Sequence, residues 1–518
     1  MIPTAWPPRS TRWWSLVILA TTLITRCCVL FTPMYDNDEA VYSALASRIL
    51  NGGMPYVGAI DHKPPGIALT YAAIYRVTGS YQLLFVQIFL LVVVAGTGLL
   101  IAALAEHIYR HRWARLAGVV YVVASTWGPA RDVQAANTEL FLNLPLVAAA
   151  FLTVRGVDRG RGSLLFAAGL LTGVAGLYKY QAVLAGGAWL LVVVLDGGPH
   201  VLRRVALLAA GFLTIAAAFL AFFYFSDNWD SFVFWGWSYN FRYIGTLSLT
   251  QKLWNGTRAA AALAVCWSPL LMSLRRPASK QLLMWGWLIT MGCAIAIGGR
   301  FFPHYFLMAL PPVCLLVVPG LVDPHRRGLR LSIAAGLTII SLVWAWGWYD
   351  LWPGLRGEID TYHRVAAYLR EHSSPDDSLF VWGDSPELYL FSQRSMGTRF
   401  PSSNYHTGKI WGSPLIDADA TDTESHIVAE AWPELLEDLE CERPLFFVDA
   451  AAGGMSGFEL HPLTRYPRLA ELVARDYRRV ATIDGIPIYR STERHDPSVL
   501  TARVTCPRAD SRNGDDAN

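Results

Sequence analysis

Three carboxylates fall within four residues, Asp36, Asp38 and Glu39, and a lysine follows on stiff backbone in Lys63-Pro64-Pro65. An ionised carboxylate can take the proton of a hydroxyl as that hydroxyl attacks. Crowding among three acids raises at least one pKa, which suits a base. A lysine can hold an anion whose charge grows as it leaves, and two prolines fix φ and remove two donors beside it. Asp38 is the candidate base, with Glu39 beside it and Asp36 and Tyr42 as further candidates. The other reading of the same spacing is a helix N-cap at Asp36 or Asp38. Asp61 and His62 precede the lysine. If a divalent metal takes part, these two are its candidate ligands.

Further polar residues stand at the edges of apolar runs. Arg131, Asp132, Asn137 and Glu139 form one cluster, Lys179 and Gln181 a second, and Arg300, His304 and Tyr305 a third within RFFPHYFLMALPP. Each can contact an anionic ligand or anchor the chain at a membrane interface. Trp382-Gly383-Asp384, after an expected strand, reads as a binding edge or an ordinary strand-to-helix turn.

The elements that must position these groups are mostly apolar. The 518 residues are 53% hydrophobic and 16% charged, against about 25% charged in a soluble domain. Apolar runs cover Trp13–Phe31, Leu83–Ala105, Leu116–Trp127, Leu140–Val154, Leu164–Tyr178, Ala182–Leu195, Val205–Phe225, Ala259–Leu274, Leu282–Ile297, Tyr305–Leu321 and Leu331–Tyr349. They imply a polytopic α-helical membrane protein with about 11 transmembrane helices. The first run lacks a small-residue cleavage site and reads as an uncleaved span, with Arg26 snorkelling from its outer end.

Arginines orient the chain. With a cytoplasmic N-terminus, the inner loops hold Arg110, Arg112 and Arg115, then Arg155, Arg159 and Arg161, then Arg203 and Arg204, Arg275 and Arg276, and Arg326 and Arg327. That bias follows the positive-inside rule. It favours two short spans meeting at Lys179 over one long span. The first loop, about 32–82, is then external, as is the chain after Tyr349. The aromatic stretch 226–256 reads as an interfacial belt or as a lid over a lipid or sugar.

From about 355 the composition becomes soluble. Helices are expected at Glu358–Glu371 and ending near Pro433–Glu440, and strands at Ser378–Trp382 and Leu445–Val448. A hairpin of Tyr477–Ile483 and Ile486–Tyr489 should turn at Asp484-Gly485. The organisation is a membrane module over 1–350, a small external α/β domain over 351–495, and a disordered tail over 496–518. Cys441 and Cys506 are the cysteines placed to form a disulfide. No phosphate-binding loop or zinc spacing occurs, and nothing suggests nucleic-acid binding.

Asp38-Glu39-Ala40-Val41-Tyr42, then Ala46, Arg48 and Lys63-Pro64-Pro65, resemble the first external loop of the GT-C glycosyltransferases. The resemblance is to the branch holding the protein O-mannosyltransferases and the lipid A aminoarabinose transferase. Weaker similarity runs through roughly the first two thirds of the chain. It implies a plasma-membrane enzyme that takes a sugar from a polyprenyl-phosphate donor within the lipid and transfers it with inversion. The acceptor, whether lipid, glycan or protein, stays open. It further implies that Asp38 is the base and that Lys63, Lys179, Arg300, His304 and Tyr305 contact the donor phosphate. Glu139 stands where relatives often carry an acid. The chain departs from the pattern at His62, where relatives are usually acidic. The rival reading is a transporter or flippase of lipid-linked sugars, although transporters place their charges at mid-membrane.

Overall fold

The computed structural model describes residues 10–274, 281–321, 327–348, 350–351, 353–413 and 422–492. The expected tail, Cys506 and the basic residues Arg275, Arg276, Lys280 and Arg326 lie outside them. The chain forms two compact units. One comprises Met1–Glu39, Asp61–Thr78 and Gln82–Pro353, and the other Ala40–Ile60, Gly79–Tyr81 and Gly354–Asn518. The expected first loop, 32–82, is therefore divided between them.

The first unit is helical. Among the described residues, five helices are long and apolar enough to cross a membrane: Thr11–Leu30, Leu83–Tyr109, Thr138–Asp158, Val201–Phe225 and Arg327–Trp346. Four shorter apolar helices are Gly162–Tyr178, Tyr180–Asp196, Leu282–Ala296 and Pro303–Leu316. This is the make-up of a multi-pass membrane protein. Two expected spans take other forms. Within Leu116–Trp127 the α-helix covers only Leu116–Ala124, because the chain closes into turns at Ser125 and Thr126. The run Ala259–Leu274 belongs to a helix that starts earlier, Leu249–Cys266, where Ser248 and Gln251 form a capping box.

Small residues let these helices approach. A Cβ on Gly169 would stand 2.0 Å from the Leu208 carbonyl oxygen, and one on Gly211 2.0 Å from that of Phe166. Helices Gly162–Tyr178 and Val201–Phe225 thus pack backbone to backbone. The break between Gly162–Tyr178 and Tyr180–Asp196 falls at Lys179, whose backbone is extended (φ −155, ψ 119).

The second unit carries a five-stranded sheet in the order β2-β1-β3-β5-β4. Its strands are β1 Ser378–Trp382, β2 Ser395–Met396, β3 Phe446–Asp449, β4 Tyr477–Ile483 and β5 Ile486–Ser491. β1 pairs in parallel with β2 and β3, and β5 antiparallel with β3 and β4. Asp484 (φ 49) and Gly485 (φ 84) make the two-residue turn of the β4–β5 hairpin, as an Asp-Gly pair should. Trp382, at the end of β1, packs edge-on to Tyr466 at 4.9 Å and 6.0 Å from Trp432. His406 is fully buried against Trp432. Trp382-Gly383-Asp384 is buried, with Gly383 N–H donating to Ser403 Oγ and Trp411 Nε1 to Asp384. Cys441 is disulfide-bonded.

Candidate active site

The site grows from the first turn of helix Asn37–Leu50. Glu39 is fully buried. Its carboxylate accepts the N–H of Tyr35 at 2.6 Å, of Asp36 at 3.2 Å and of Ala136 at 2.8 Å. One side chain thereby closes the helix start and ties it to the turn at 135–137. Burial pushes Glu39 up to about 7, against the pull of those three N–H groups. Asp36, also buried, pairs with Arg131 at 2.9 Å and accepts from Asn137 at 3.3 Å. Burial raises its pKa, and Arg131 opposes the rise.

Asp38 faces the lysine that the proline pair stiffens. Lys63 Nζ lies 2.8 Å from Asp38 Oδ1, and both side chains are partly exposed. The knot beneath is self-supporting. Asp61 Oδ1 accepts the N–H of His62 at 2.7 Å and of Lys63 at 3.3 Å. Burial would raise Asp61, but the His62 hydrogen bond and the charges of His62 and Lys63 outweigh it and hold the carboxyl low. Asn240 Nδ2 donates to the His62 carbonyl at 2.8 Å.

Three later segments supply the remaining groups. Lys179 reaches Glu139 at 2.5 Å and stands 3.3 Å over the Tyr305 ring. His304 Nδ1 meets Asp132 at 2.8 Å. The Arg300 guanidinium lies 3.7 Å from the centre of the Tyr243 ring and donates to the Tyr243 carbonyl at 2.8 Å and Thr246 Oγ1 at 3.0 Å. Lys63 and Asp38 act electrostatically on both Lys179 and Tyr243. The cluster therefore holds Asp36, Asp38, Glu39, Asp61, His62, Lys63, Arg131, Glu139, Lys179, Arg300, His304 and Tyr305. Its cations are already partnered by carboxylates or rings, so an anionic ligand must compete for them.

Tyr42 falls in the second unit and is buried there. Arg26 corrects the expectation of snorkelling. It is fully buried and donates to the Ser125 carbonyl at 3.0 Å, Ser125 Oγ at 2.9 Å and Gln134 Oε1 at 3.4 Å. Polar partners on the following segment keep it inside. Asp132, Asn240 and Tyr243 are structural finds. The sequence shows Asp132 only as one member of a polar cluster and Tyr243 only as one aromatic in 226–256; their partners His304 and Arg300 emerge in the structure.

Among the described residues, no group of three or more His, Cys, Asp or Glu side chains is placed to hold a metal ion. Asp61 spends one carboxylate oxygen on its own loop. Among the described residues, Asp61 and His62 gain no third ligand.

Residues 62–225 match the family described as dolichyl-phosphate-mannose-protein mannosyltransferase. No curated protein matches the chain in sequence. ArnT from Cupriavidus metallidurans bound to undecaprenyl phosphate has a similar structure. The TM-score is 0.61 at 14% identity, covering 93% of this chain and 98% of that one. The same protein in the apo state gives 0.56 at 16% identity, covering 92% and 98%. The chain shares the fold of that protein over nearly the whole of both chains.

Proposed function

We propose that the protein transfers a sugar, with inversion, from a polyprenyl-phosphate donor to a hydroxyl or similar group at the external face of the plasma membrane. The observation that carries this reading is the Asp38–Lys63 pair at 2.8 Å, with Lys179, Arg300, Tyr243 and Tyr305 gathered around it. Its support in the comparisons is the mannosyltransferase family match and the fold shared with a protein bound to undecaprenyl phosphate. The arginine distribution supports a cytoplasmic N-terminus and an external site.

At rest Lys63 neutralises Asp38. A donor phosphate draws the ammonium to itself and leaves the Asp38 carboxylate free to act as base. The acceptor oxygen then bonds to the anomeric carbon on the face opposite the phosphate. Asp38 takes the acceptor's proton, and the electrons of the breaking carbon–oxygen bond pass to the phosphate. Lys63, Lys179 and Arg300 hold that charge, with His304 and Tyr305 beside them. One direct displacement needs one base and no nucleophilic residue. Glu39 and Asp36 position the helix start. The acceptor and the sugar are set by groups outside this constellation.

The test is the purified full chain in lipid, given a radiolabelled polyprenyl-phosphate sugar and acceptor extracts, with release of polyprenyl phosphate as the readout. Asp38→Asn should insert and fold normally while turnover falls ~10²–10⁴-fold. Turnover within a few fold of wild type would remove Asp38 as the base. Movement of the donor across the bilayer without release would favour a transporter.

A further inference from the structure

We infer that Tyr243 is a further donor-binding residue, whose hydroxyl donates a hydrogen bond to the donor's phosphate while its ring holds Arg300 in place. This rests on the glycosyltransferase reading above and adds a residue that neither the motifs nor the family match supplies, since Tyr243 lies beyond residues 62–225.

The ring joins two parts of the site that come from distant stretches of sequence. Arg300 lies 3.7 Å from its centre, and the His62 imidazole lies tilted against it at 4.6 Å. The backbone helps both. The Tyr243 carbonyl accepts from Arg300, and Asn240, one turn earlier in helix Tyr239–Gly245, donates to the His62 carbonyl. The knot carrying Lys63 and the segment carrying Arg300 are thus fixed to one short helix. Arg300 needs such a support, because the backbone on both sides of it is unusual. Gly299 (φ 65) and Phe301 (φ 52) on either side are both in the left-handed region, where a bulky residue like phenylalanine is strained.

The hydroxyl is the part that points to a ligand. Tyr243 is half-buried, and among the described residues its phenol oxygen makes no hydrogen bond, although its ring and carbonyl are both engaged. That oxygen lies in the field of Arg300, Lys63, Asp38 and Asp61, and it acts on the phenol of Tyr305, whose ring Lys179 covers. Two phenols, each with a cation on its face, therefore share the space around Lys63. A phenol is a strong proton donor to an anion. In a space bounded by three cations, the anion that fits is the phosphate.

The experiment measures binding of bare polyprenyl phosphate, uncharged polyprenol and the sugar-charged donor to the purified full chain, and turnover alongside. Tyr243→Phe keeps the ring and removes the hydroxyl, and Tyr243→Leu removes both. The Phe variant should bind polyprenyl phosphate roughly tenfold more weakly, the loss expected for one hydrogen bond to a charged group, and bind polyprenol unchanged. The Leu variant should lose a further few fold as Arg300 is released. If the Leu variant fails to fold, the Phe variant decides alone. Wild-type phosphate binding by the Phe variant overturns the hydroxyl's role and leaves the glycosyltransferase reading standing. Weakened binding of the charged donor only would mean the hydroxyl meets the sugar, and overturns the phosphate assignment. A wild-type chain that binds no polyprenyl phosphate overturns the functional reading and this inference together.

Discussion

Lys63 in the first unit and Arg399 in the second are both cations paired with an aspartate, and the pairs are built differently. Lys63 meets Asp38 at 2.8 Å where solvent reaches both, with 31% and 29% of the two side chains exposed. Arg399 is wrapped. Asp38's counterpart, Asp438, accepts from Arg399 Nε, Nη2 and the Arg399 backbone N–H. Glu437 and Glu434 stand at 3.1 and 3.6 Å, and Asp438 is 6% exposed. A planar guanidinium held by several acceptors is a structural fixture. A lysine whose ion pair lies partly open to solvent is a charge that a ligand can take over. The lesson is that exposure, more than the presence of an ion pair, separates a site from a scaffold.

The largest effect that would break or sharpen this contrast comes from exchanging each cation for methionine. Lys63→Met should lower turnover roughly a hundredfold, about 3 kcal/mol of transition-state stabilisation, with a smaller change in donor affinity. The thermal unfolding midpoint should hardly move, because Asp38 is left near solvent. Arg399→Met should do the reverse. It strands Asp438 in the interior at a cost of about 3–5 kcal/mol, seen as a lowered midpoint, while donor binding and turnover in the surviving folded fraction stay near wild type. Equal effects of the two variants on turnover would end the distinction.

Acid should act on the two units in opposite directions. Burial pushes His406 down to about 3, with the Ala431 carbonyl opposing. The unfolded chain takes that proton near 6.5, so His406 contributes stability that is present above about pH 6.5 and lost as pH falls towards 3. Glu39, raised to about 7, does the opposite. Its contribution is full below about pH 4.5, the ordinary glutamate range, and is lost as pH rises through 7. Hydrogen exchange read peptide by peptide separates the two. Protection over β1 should fall from pH 6.5 to 5, while protection over residues 35–39 should rise. His406→Gln should flatten the first trend and Glu39→Gln the second. Parallel trends in both segments would contradict the assignment.

The smallest effect belongs to the hairpin. Gly485 adopts φ 84, so Gly485→Ala should destabilise the second unit by ~1 kcal/mol and leave transfer untouched. An unchanged midpoint would show that the turn relaxes.

Much of this arrangement was legible in the sequence wherever the signal was local. Asp-Gly between alternating strands announced the hairpin, and the strand Ser378–Trp382 was legible to the residue. Asp38 and Lys63-Pro64-Pro65 stood out because chemistry and stiffness coincided within a few residues. The contacts that define the site's geometry are not local. Glu39 bonds to Ala136 across a separation of 97 residues, and Arg300 finds Tyr243 57 residues away. A glutamate beside an aspartate reads as a second acid until the N–H groups that fill its oxygens are seen. Arg26 looked like an interfacial residue because nothing in its own span could pair with it; its acceptors are Ser125 and Gln134. The span pattern blurred for a related reason. Hydropathy sees an apolar run but not the capping box at Ser248 that starts a helix ten residues ahead of one.

That same helix, Leu249–Cys266, has no buried residue, and Leu249, Leu253, Trp254 and Val265 are all more than 60% exposed. Among the described residues nothing covers these four side chains, so their surroundings must. Asn255 on this helix donates to the carbonyl of Gly299 at 3.3 Å, immediately before Arg300. When the protein is extracted from a bilayer, the surfactant that replaces the lipid around this helix becomes a structural neighbour of the arginine at the site. Solubilisation conditions are then an experimental variable with the weight of a mutation. Preparations in short-chain detergent and in lipid discs should be compared before any loss of turnover is assigned to a side chain.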